Sequence, residues 1–281
     1  MFFLIKNMDI RGANALSAYP VANGVSPLAV AGFVRALAIN LGLDSTENLG
    51  FSIVHHSTKI RSEAGTKPIP LQKIGALLTC SSAGKLGSTD YASGSMSLAL
   101  QPVIECDTKI SVVIDFDYME LIPESISNAV HLMRVAGGQI QSFDAVYEFE
   151  TFDAAIKKVG AGYVYAERSD LLSVGPANRV KAFVDNLYPA FLPAEHPFKQ
   201  AKKDTSAESA APWIVPFNLG WLPLTEFQGN PGSRHGFDHA YAEPLIGFVE
   251  MLPARKAIHD GTPIIWKTKK MNTAYVVSTS Y

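Results

Sequence analysis

The chain has 281 residues, of which 47% are hydrophobic and 18% charged, and its formal net charge is −2. That length supplies ample core for one large domain or two modest ones. The charge excludes a protein that coats nucleic acid by bulk charge but leaves room for a local basic groove. Cys80 and Cys106 are the only cysteines, too few for a disulfide framework. No signal-peptide pattern opens the chain, so a reducing cytoplasm is the expected location.

Taken in order, residues 2–10 begin apolar and then alternate weakly, which predicts a first strand at the centre of a sheet. Arg11-Gly12-Ala13-Asn14-Ala15 follows and mixes turn residues with an arginine and an asparagine. Asn23-Gly24 is a turn signal. It leads into the stretch around which the chain is organised, Ser26 to Gly42. Ser26 stands where an N-cap belongs, Pro27 at the first helical position, and Gly42 where a left-handed residue ends a helix. Between them Arg35 is the only charge, and a helix apolar nearly all round is expected to be buried. Arg35 either snorkels to the rim or turns its planar fork to a phosphate or carboxylate. The run is too short for a bilayer and carries a charge, so no membrane partner is predicted.

Residues 50–55 read as a second strand. From 58 to 95 the character changes. Lys59, Arg61, Lys67, Lys73 and Lys85 stand among glycines and serines, with only Glu63 and Asp90 opposing them. This composition predicts an excursion from the body, a projecting hairpin or flap, with a solvated loop as the alternative. Residues 109–116 alternate as a strand. Pro123 opens a helix that runs through Met133 into Arg134-Val135-Ala136-Gly137-Gly138. Residues 160–166 read as a strand and 179–187 as a short helix. The polar stretch 193–212 reads as a flexible insertion. Apolar character resumes at 212–217, helical signal returns at 245–252, and 273–278 is the closing strand. Strand, helix, strand, excursion, strand, helix and strand fit a split β-α-β-β-α-β unit better than a doubly wound sheet. The fold class is α+β, in one domain covering 1–281.

Seven histidines invite an enzyme reading. His235 and His239 are four apart, yet Gly236 stands where a zinc-protease helix carries its glutamate, and a glycine-flanked loop makes a poor ligand pair. No metal is expected. Ala83-Gly84-Lys85-Leu86 lacks the hydroxyl residue of a phosphate loop, no nucleophile elbow occurs, and nothing marks a nucleotide cofactor. His55 and His56 end a strand, where a histidine is either a polar contact or a base. The glycines of Arg134-Val135-Ala136-Gly137-Gly138 either let the backbone approach a ligand closely or simply end the helix and turn the chain.

Several stretches together resemble a family: Asn14-Ala15-Leu16-Ser17, Ser26-Pro27, residues 31–37, residues 133–138, Trp221-Leu222-Pro223-Leu224 and Phe248-Val249-Glu250. In this order they look like the Csy-two family, the Cas-five-type subunit of type I-F CRISPR Cascade surveillance complexes. The resemblance implies a RAMP-type, ferredoxin-like domain related to RNA-recognition modules, with 58–95 as a thumb-like excursion and extra C-terminal elements. It implies a non-catalytic subunit that grips the five-prime handle of a CRISPR RNA and caps a filament of backbone subunits, acting in antiviral defence. Its partners would be that RNA, the backbone and large subunits of Cascade, and target DNA indirectly. Asn14, Ser26, Arg35, Arg134, Gly137 and Gly138 match the family's core and carry the handle-binding expectation. Arg11, Lys59, Arg61 and Lys73 join them as expected RNA contacts. Two alternatives share the fold: a repeating Cas-seven-type backbone subunit that coats the spacer, and a RAMP-type endoribonuclease working through His55 or His56.

Overall fold

The weak alternation at the N-terminus is a period of two, interrupted twice. The computed structural model describes residues 1–18, 21–43, 49–60, 105–116, 121–172, 213–229, 238, 240–271 and 274–279. Its elements are β1 (Phe2–Asn14), β2 (Leu16–Ala18), β3 (Val21–Ala22), α1 (Pro27–Asn40), β4 (Gly50–Ile60), β5 (Glu105–Asp115), α2 (Pro123–Val130), β6 (Arg134–Val135), β7 (Gly138–Ser142), β8 (Ala145–Phe149), α3 (Phe152–Val159), β9 (Tyr163–Glu167), β10 (Ile214–Pro223), β11 (Ala242–Pro253), α4 (Ala254–His259), β12 (Lys267–Met271) and β13 (Ala274–Ser278). In β1, Phe3 and Ile5, then Met8 and Ile10, then Ala13 all enter one core. The parity changes because the register against β5 slips between Ile5 and Met8 and again between Ile10 and Ala13. Each slip is a bulge, and without it every later side chain would turn to the other face. Asn7 and Gly12 supply the positive φ that the bulges use, at 56° and 66°.

Eleven of the described strands form one antiparallel sheet in the order β12-β13-β10-β11-β9-β4-β5-β1-β7-β6, with β8 also on β1, and β2 and β3 pair separately as a two-stranded ribbon. β7 and β8 share one edge of β1, pairing with its far and near halves. The sheet curls. Trp266, just before β12, exchanges two backbone hydrogen bonds with Phe51 of β4, at 2.9 and 2.7 Å. The far end of the sheet therefore returns to its middle. Inside the curl, the fully buried Trp266 donates from Nε1 to the Tyr165 carbonyl at 2.9 Å, and Tyr165 stacks on Phe217.

Helix α1 packs against β4, β6, β10, β13 and α2. Its ends form as their residues dictate. Ser26 Oγ accepts from the Ala29 N–H at 3.2 Å. At the other end Gly42, with φ 71°, donates to Ile39, and Leu43 donates to Ala38, which satisfies the last free carbonyls. The helix is not wrapped on every side. Gly32, Arg35, Ala36, Ile39 and Asn40 form an exposed stripe, because small residues there leave the apolar burden to the opposite face. Arg35 lies on that stripe, at the rim.

The other face of the sheet carries a second core, in which Leu4, Val54, Val113 and Val164 meet α3 and α4. The helical signal at 245–252 is corrected: these residues belong to β11. A continuous apolar run carries no period of its own, and here Leu252 goes to one core and Met251 to the other. Residues 58–60 extend β4, while the rest of the predicted excursion, the 179–187 helix and the 193–212 insertion lie outside the described residues. No described helix is long and apolar enough to cross a membrane.

Candidate nucleic-acid interface

Along the face that α3 and α4 cover, β5 reads Val113, Ser111, Lys109, Asp107 and Glu105 in steps of two. Only Val113 belongs to the second core. The half of the sheet beyond it is polar. Strand pairing aligns its residues in rows, because directly opposed residues of an antiparallel pair share a face. One row crosses Ser57 of β4, Lys109 of β5, Asp9 of β1 and Ser142 of β7. At the sheet's edge, Arg11 of β1 opposes Gln139 of β7, which opposes Arg134 of β6. Lys59 opposes Asp107, and Asn14 opposes Glu105. Asn7, Asp9, Lys59, Lys109, Asp107 and Asp144 are among the residues lining a cleft of about 380 Å³ in this face.

Two bulges shape the cleft, and Ser111 lies between them. The bulged Asn7 N–H donates to Ser111 Oγ at 2.9 Å. The second bulge, in β4 between His55 and Ser57, sets His56 on the same hydroxyl, with Nε2 at 2.8 Å. His56 Nδ1 lies 2.9 Å from the Ala161 carbonyl, which can only accept. The proton of a neutral His56 is therefore on Nδ1, and Ser111 donates to Nε2. Burial pushes His56 below its ordinary pKa. Lys109 and Lys6 add to that, while the Ala161 hydrogen bond and Asp144 oppose it.

His55 ends a second chain. Thr108 Oγ1 donates to the Ser57 carbonyl at 2.9 Å, so it accepts from Thr58 Oγ1 at 2.8 Å. Thr58 has then spent its proton and accepts from His55 Nε2 at 2.7 Å. Burial, and then His56, hold the His55 pKa down. The carboxylates of the cleft have partners as well: Asn7 Nδ2 donates to Asp144 at 2.7 Å, and the Gly12 N–H to Asp107 at 3.2 Å. Arg11 stands 4.0 Å from Asp9.

The stretch 134–138 is a two-stranded turn. Ala136 and Gly137 occupy its tip with φ of 50° and 78°, the left-handed pair of a tight hairpin. Arg134 Nη1 donates to the Gly137 carbonyl at 3.2 Å. Gly138 has a different reason to be glycine: a Cβ there would lie 2.6 Å from the Ala13 nitrogen and 2.7 Å from its Cα. The backbone that approaches Gly138 is β1, with the Asn14 N–H bound to the Ala136 carbonyl at 2.9 Å.

Of the residues singled out by sequence, Arg11, Asn14, Lys59 and Arg134 share the open face. Gly137 and Gly138 build the hairpin that carries Arg134. Ser26 caps α1 and Arg35 is exposed on it, on the other side of the sheet. Arg61 and Lys73 lie outside the described residues, as do His235 and His239. Among the described residues no three His, Cys, Asp or Glu side chains gather into a metal set. Sequence reasoning missed Asp9, Lys109, Ser111 and Gln139. Lys109 and Ser111 alternate with the core residues Ile110 and Val112, which marked them as outward-facing, but nothing local marked the bulges.

These features define a class: a sheet-rich α+β protein whose curled antiparallel sheet leaves one charged half-face open. The family model for CRISPR-associated protein (Cas_Csy2) matches residues 3–277, and the chain belongs to that family. It is a CRISPR-associated Cascade subunit and works with other Cas subunits. Among curated proteins, none matches the chain.

Proposed function

We propose that the chain is a non-catalytic CRISPR RNA-binding subunit of a type I-F-like Cascade, gripping the five-prime handle on the open half-face and capping the filament of backbone subunits. The observation that carries this reading is the shared face of Arg11, Asn14, Lys59 and Arg134, built from five adjacent strands. Strands lie about 4.8 Å apart, so Arg134 and Arg11 start from backbones about 10 Å apart with the Gln139 amide between them. Such an array suits the phosphates and splayed bases of single-stranded RNA, which charge and hydrogen bonds recognise with little base code. The spatial order β8-β1-β5-β4, with α1 after β1 and α2 after β5, supports a ferredoxin-like, RAMP-type core.

The histidines support a binding role over the endoribonuclease alternative. A general base needs a nitrogen within reach of the attacking hydroxyl. His56 has both nitrogens engaged, and His55 stacks on the buried Tyr165 of the core on the α1 side of the sheet, away from the open half-face. The test is fluorescence anisotropy with a synthetic handle RNA, together with native mass spectrometry of the assembled complex. Loss of at least tenfold in affinity for the Arg11→Ala, Arg134→Ala double variant, no cleavage of repeat RNA, and one copy per RNA are the expected results. Several copies per RNA would replace the cap by the backbone subunit. Defined cleavage would replace it by the nuclease, and unchanged affinity would remove the face.

A further inference from the structure

Three strands terminate the described sheet: β12 and β6 at the ends of the strand order, and β8 beside β1. A bare edge invites pairing with another chain, and proteins blunt it with lysine, proline, bulges or very short strands. β12 carries three lysines in five residues, and β6 is two residues long. β8, Ala145-Val146-Tyr147-Glu148-Phe149, has none of these devices. It holds no lysine or proline, and its register against β1 runs from Ala145 to Phe149 without a shift. β6 lies beyond β7 only, so no described strand covers the far side of β8, about 17 Å of edge. The edge is also firmly held. α2 and α3 both pack against β8, with Val146 on the core around α1 and with Tyr147 and Phe149 on the second core.

The ladder of β1 fixes which backbone groups of β8 are turned outward. The Phe116 N–H donates to the Met1 carbonyl at 3.1 Å, and the Met1 ammonium to the Phe116 carbonyl at 3.2 Å. Such exchanging pairs alternate along an antiparallel ladder. Phe3 and Ile5 therefore turn their backbone groups to β5, and Phe2, Leu4 and Lys6 turn theirs to β8. Opposite Phe3 and Ile5 in β8 stand Glu148 and Val146, whose N–H and C=O groups point away from β1. The side chains add a charge to this edge. Glu148 is exposed and is the only charged residue of β8. Its row across the sheet continues through Phe3, Ile114 and Phe51 and holds no cation. Glu124 is the only charge of α2, which packs on that face. The cations near β8 lie on the opposite face, where Lys6 opposes Ala145 and Lys158 stands 4.8 Å from the centre of the Tyr147 ring. We infer that the β8 edge is a docking site for an extended segment of another protein subunit of the effector complex. The segment adds a strand to the sheet, bonds to the backbone of Val146 and Glu148, and sets a lysine or arginine opposite Glu148. The inference rests on the chain's family and its work with other Cas subunits, and it does not depend on the RNA face.

The test is residue-resolved amide hydrogen exchange on the full chain in three states: alone, with handle RNA, and in the complex co-expressed with the Cas subunits of its own system and a CRISPR RNA. In the isolated chain the Val146 and Glu148 amides should exchange about tenfold or more faster than those of Tyr147 and Phe149, which bond to β1. In the complex both should slow by about tenfold or more, and RNA alone should leave them fast. Glu148→Lys, which leaves the backbone intact, should lower recovery of one partner subunit by about threefold or more, because it sets like charges opposite each other. Glu148→Pro removes an outward N–H without touching the β1 ladder. It should lower that recovery by about tenfold or more, with an unchanged melt and unchanged affinity for handle RNA. Amides that stay fast in the complex, or that are slow in the isolated chain, would overturn the docking site. So would amides slowed by RNA alone, or full recovery of every subunit with Glu148→Lys. Slowing that grows with the concentration of the isolated chain would overturn it in favour of a second copy on this edge. Handle binding without slowed β8 amides removes only the docking site, and slowed β8 amides without handle binding remove only the RNA face.

Discussion

Two neighbouring glycines make a sharp test of how the hairpin is built. At Gly137 an added Cβ meets nothing within 4 Å, but the residue holds φ at 78°. Gly137→Ala therefore costs only the left-handed conformation, about 1 kcal/mol. At Gly138 the same methyl lies 2.6, 2.7 and 2.9 Å from the nitrogen, Cα and Cβ of Ala13. Two of those atoms are backbone in the central strand, so neither side can yield by a rotamer change. Relief requires β7 to move off β1, which strains the Arg11–Gln139 pairing beside it. Overpacking of that kind costs about 3 kcal/mol or more. At roughly 2 °C per kcal/mol for a chain of this size, Gly137→Ala should lower Tm by about 2 °C and Gly138→Ala by about 6 °C. Thermal melting followed by circular dichroism, backed by urea titration, measures both. Handle affinity measured in parallel should fall more for Gly138→Ala, because β6 and Arg134 hang from β7. Equal destabilisation by the two substitutions would refute the close approach of β1 as the reason for Gly138.

Arg134→Ala should weaken handle RNA binding about tenfold, a loss of about 1.4 kcal/mol for a charge-assisted contact, with an unchanged melt. It should also flatten the plot of log affinity against log salt by about 0.7. Ser111→Ala removes the shared partner of the Asn7 N–H and His56, and urea titration should show a loss of about 2 kcal/mol. Because the folded pKa values of His55 and His56 lie below the ordinary value of 6.5, folding favours their neutral forms. Their contribution to stability is full above pH 6.5 and is lost as pH falls below it towards the folded pKa values. Melting temperatures measured between pH 7.5 and 5 should fall on the acid side, and His56→Gln should flatten that fall.

What was legible in the sequence was what is encoded locally. Ser26, Pro27 and Gly42 mark the ends of α1 because each acts within one helical turn of itself. The alternation of Ile110, Val112 and Ile114 marks β5 for the same reason. The site was half legible. Arg11 and Arg134 stood out singly, but their row exists only because β7 pairs with both β1 and β6, and pairing between distant strands leaves no local period. The bulges at Lys6-Asn7 and Arg11-Gly12 hid the outward parity of Asp9 and made a regular strand look irregular. The glycines of 134–138 left two readings open, close approach to a ligand or a plain turn; they form the turn of a hairpin, and at Gly138 the close neighbour is another strand of the same sheet. The apolar run at 245–252 was ambiguous by nature, since a strand buried on both faces and a buried helix share that composition.

The return of Trp266 to Phe51 has a consequence for the order in which the protein is made. The strands of the open half-face, β1 and β4 to β7, all lie within the first 142 residues, and they emerge from the ribosome well before the clasp. Helix α1 emerges early as well, yet β10 and β13, two of the strands that enclose it, come much later. Until residue 266 is synthesised and reaches β4, the apolar surface of α1 that these strands cover is open to water or to another chain. Contacts of such long sequence separation form late, because their loop-closure entropy comes due before the contact rewards it. The nascent protein therefore passes through a stage with its charged face assembled and its core unlatched. In that interval the molecule is most exposed to aggregation, and a chaperone has most to offer it.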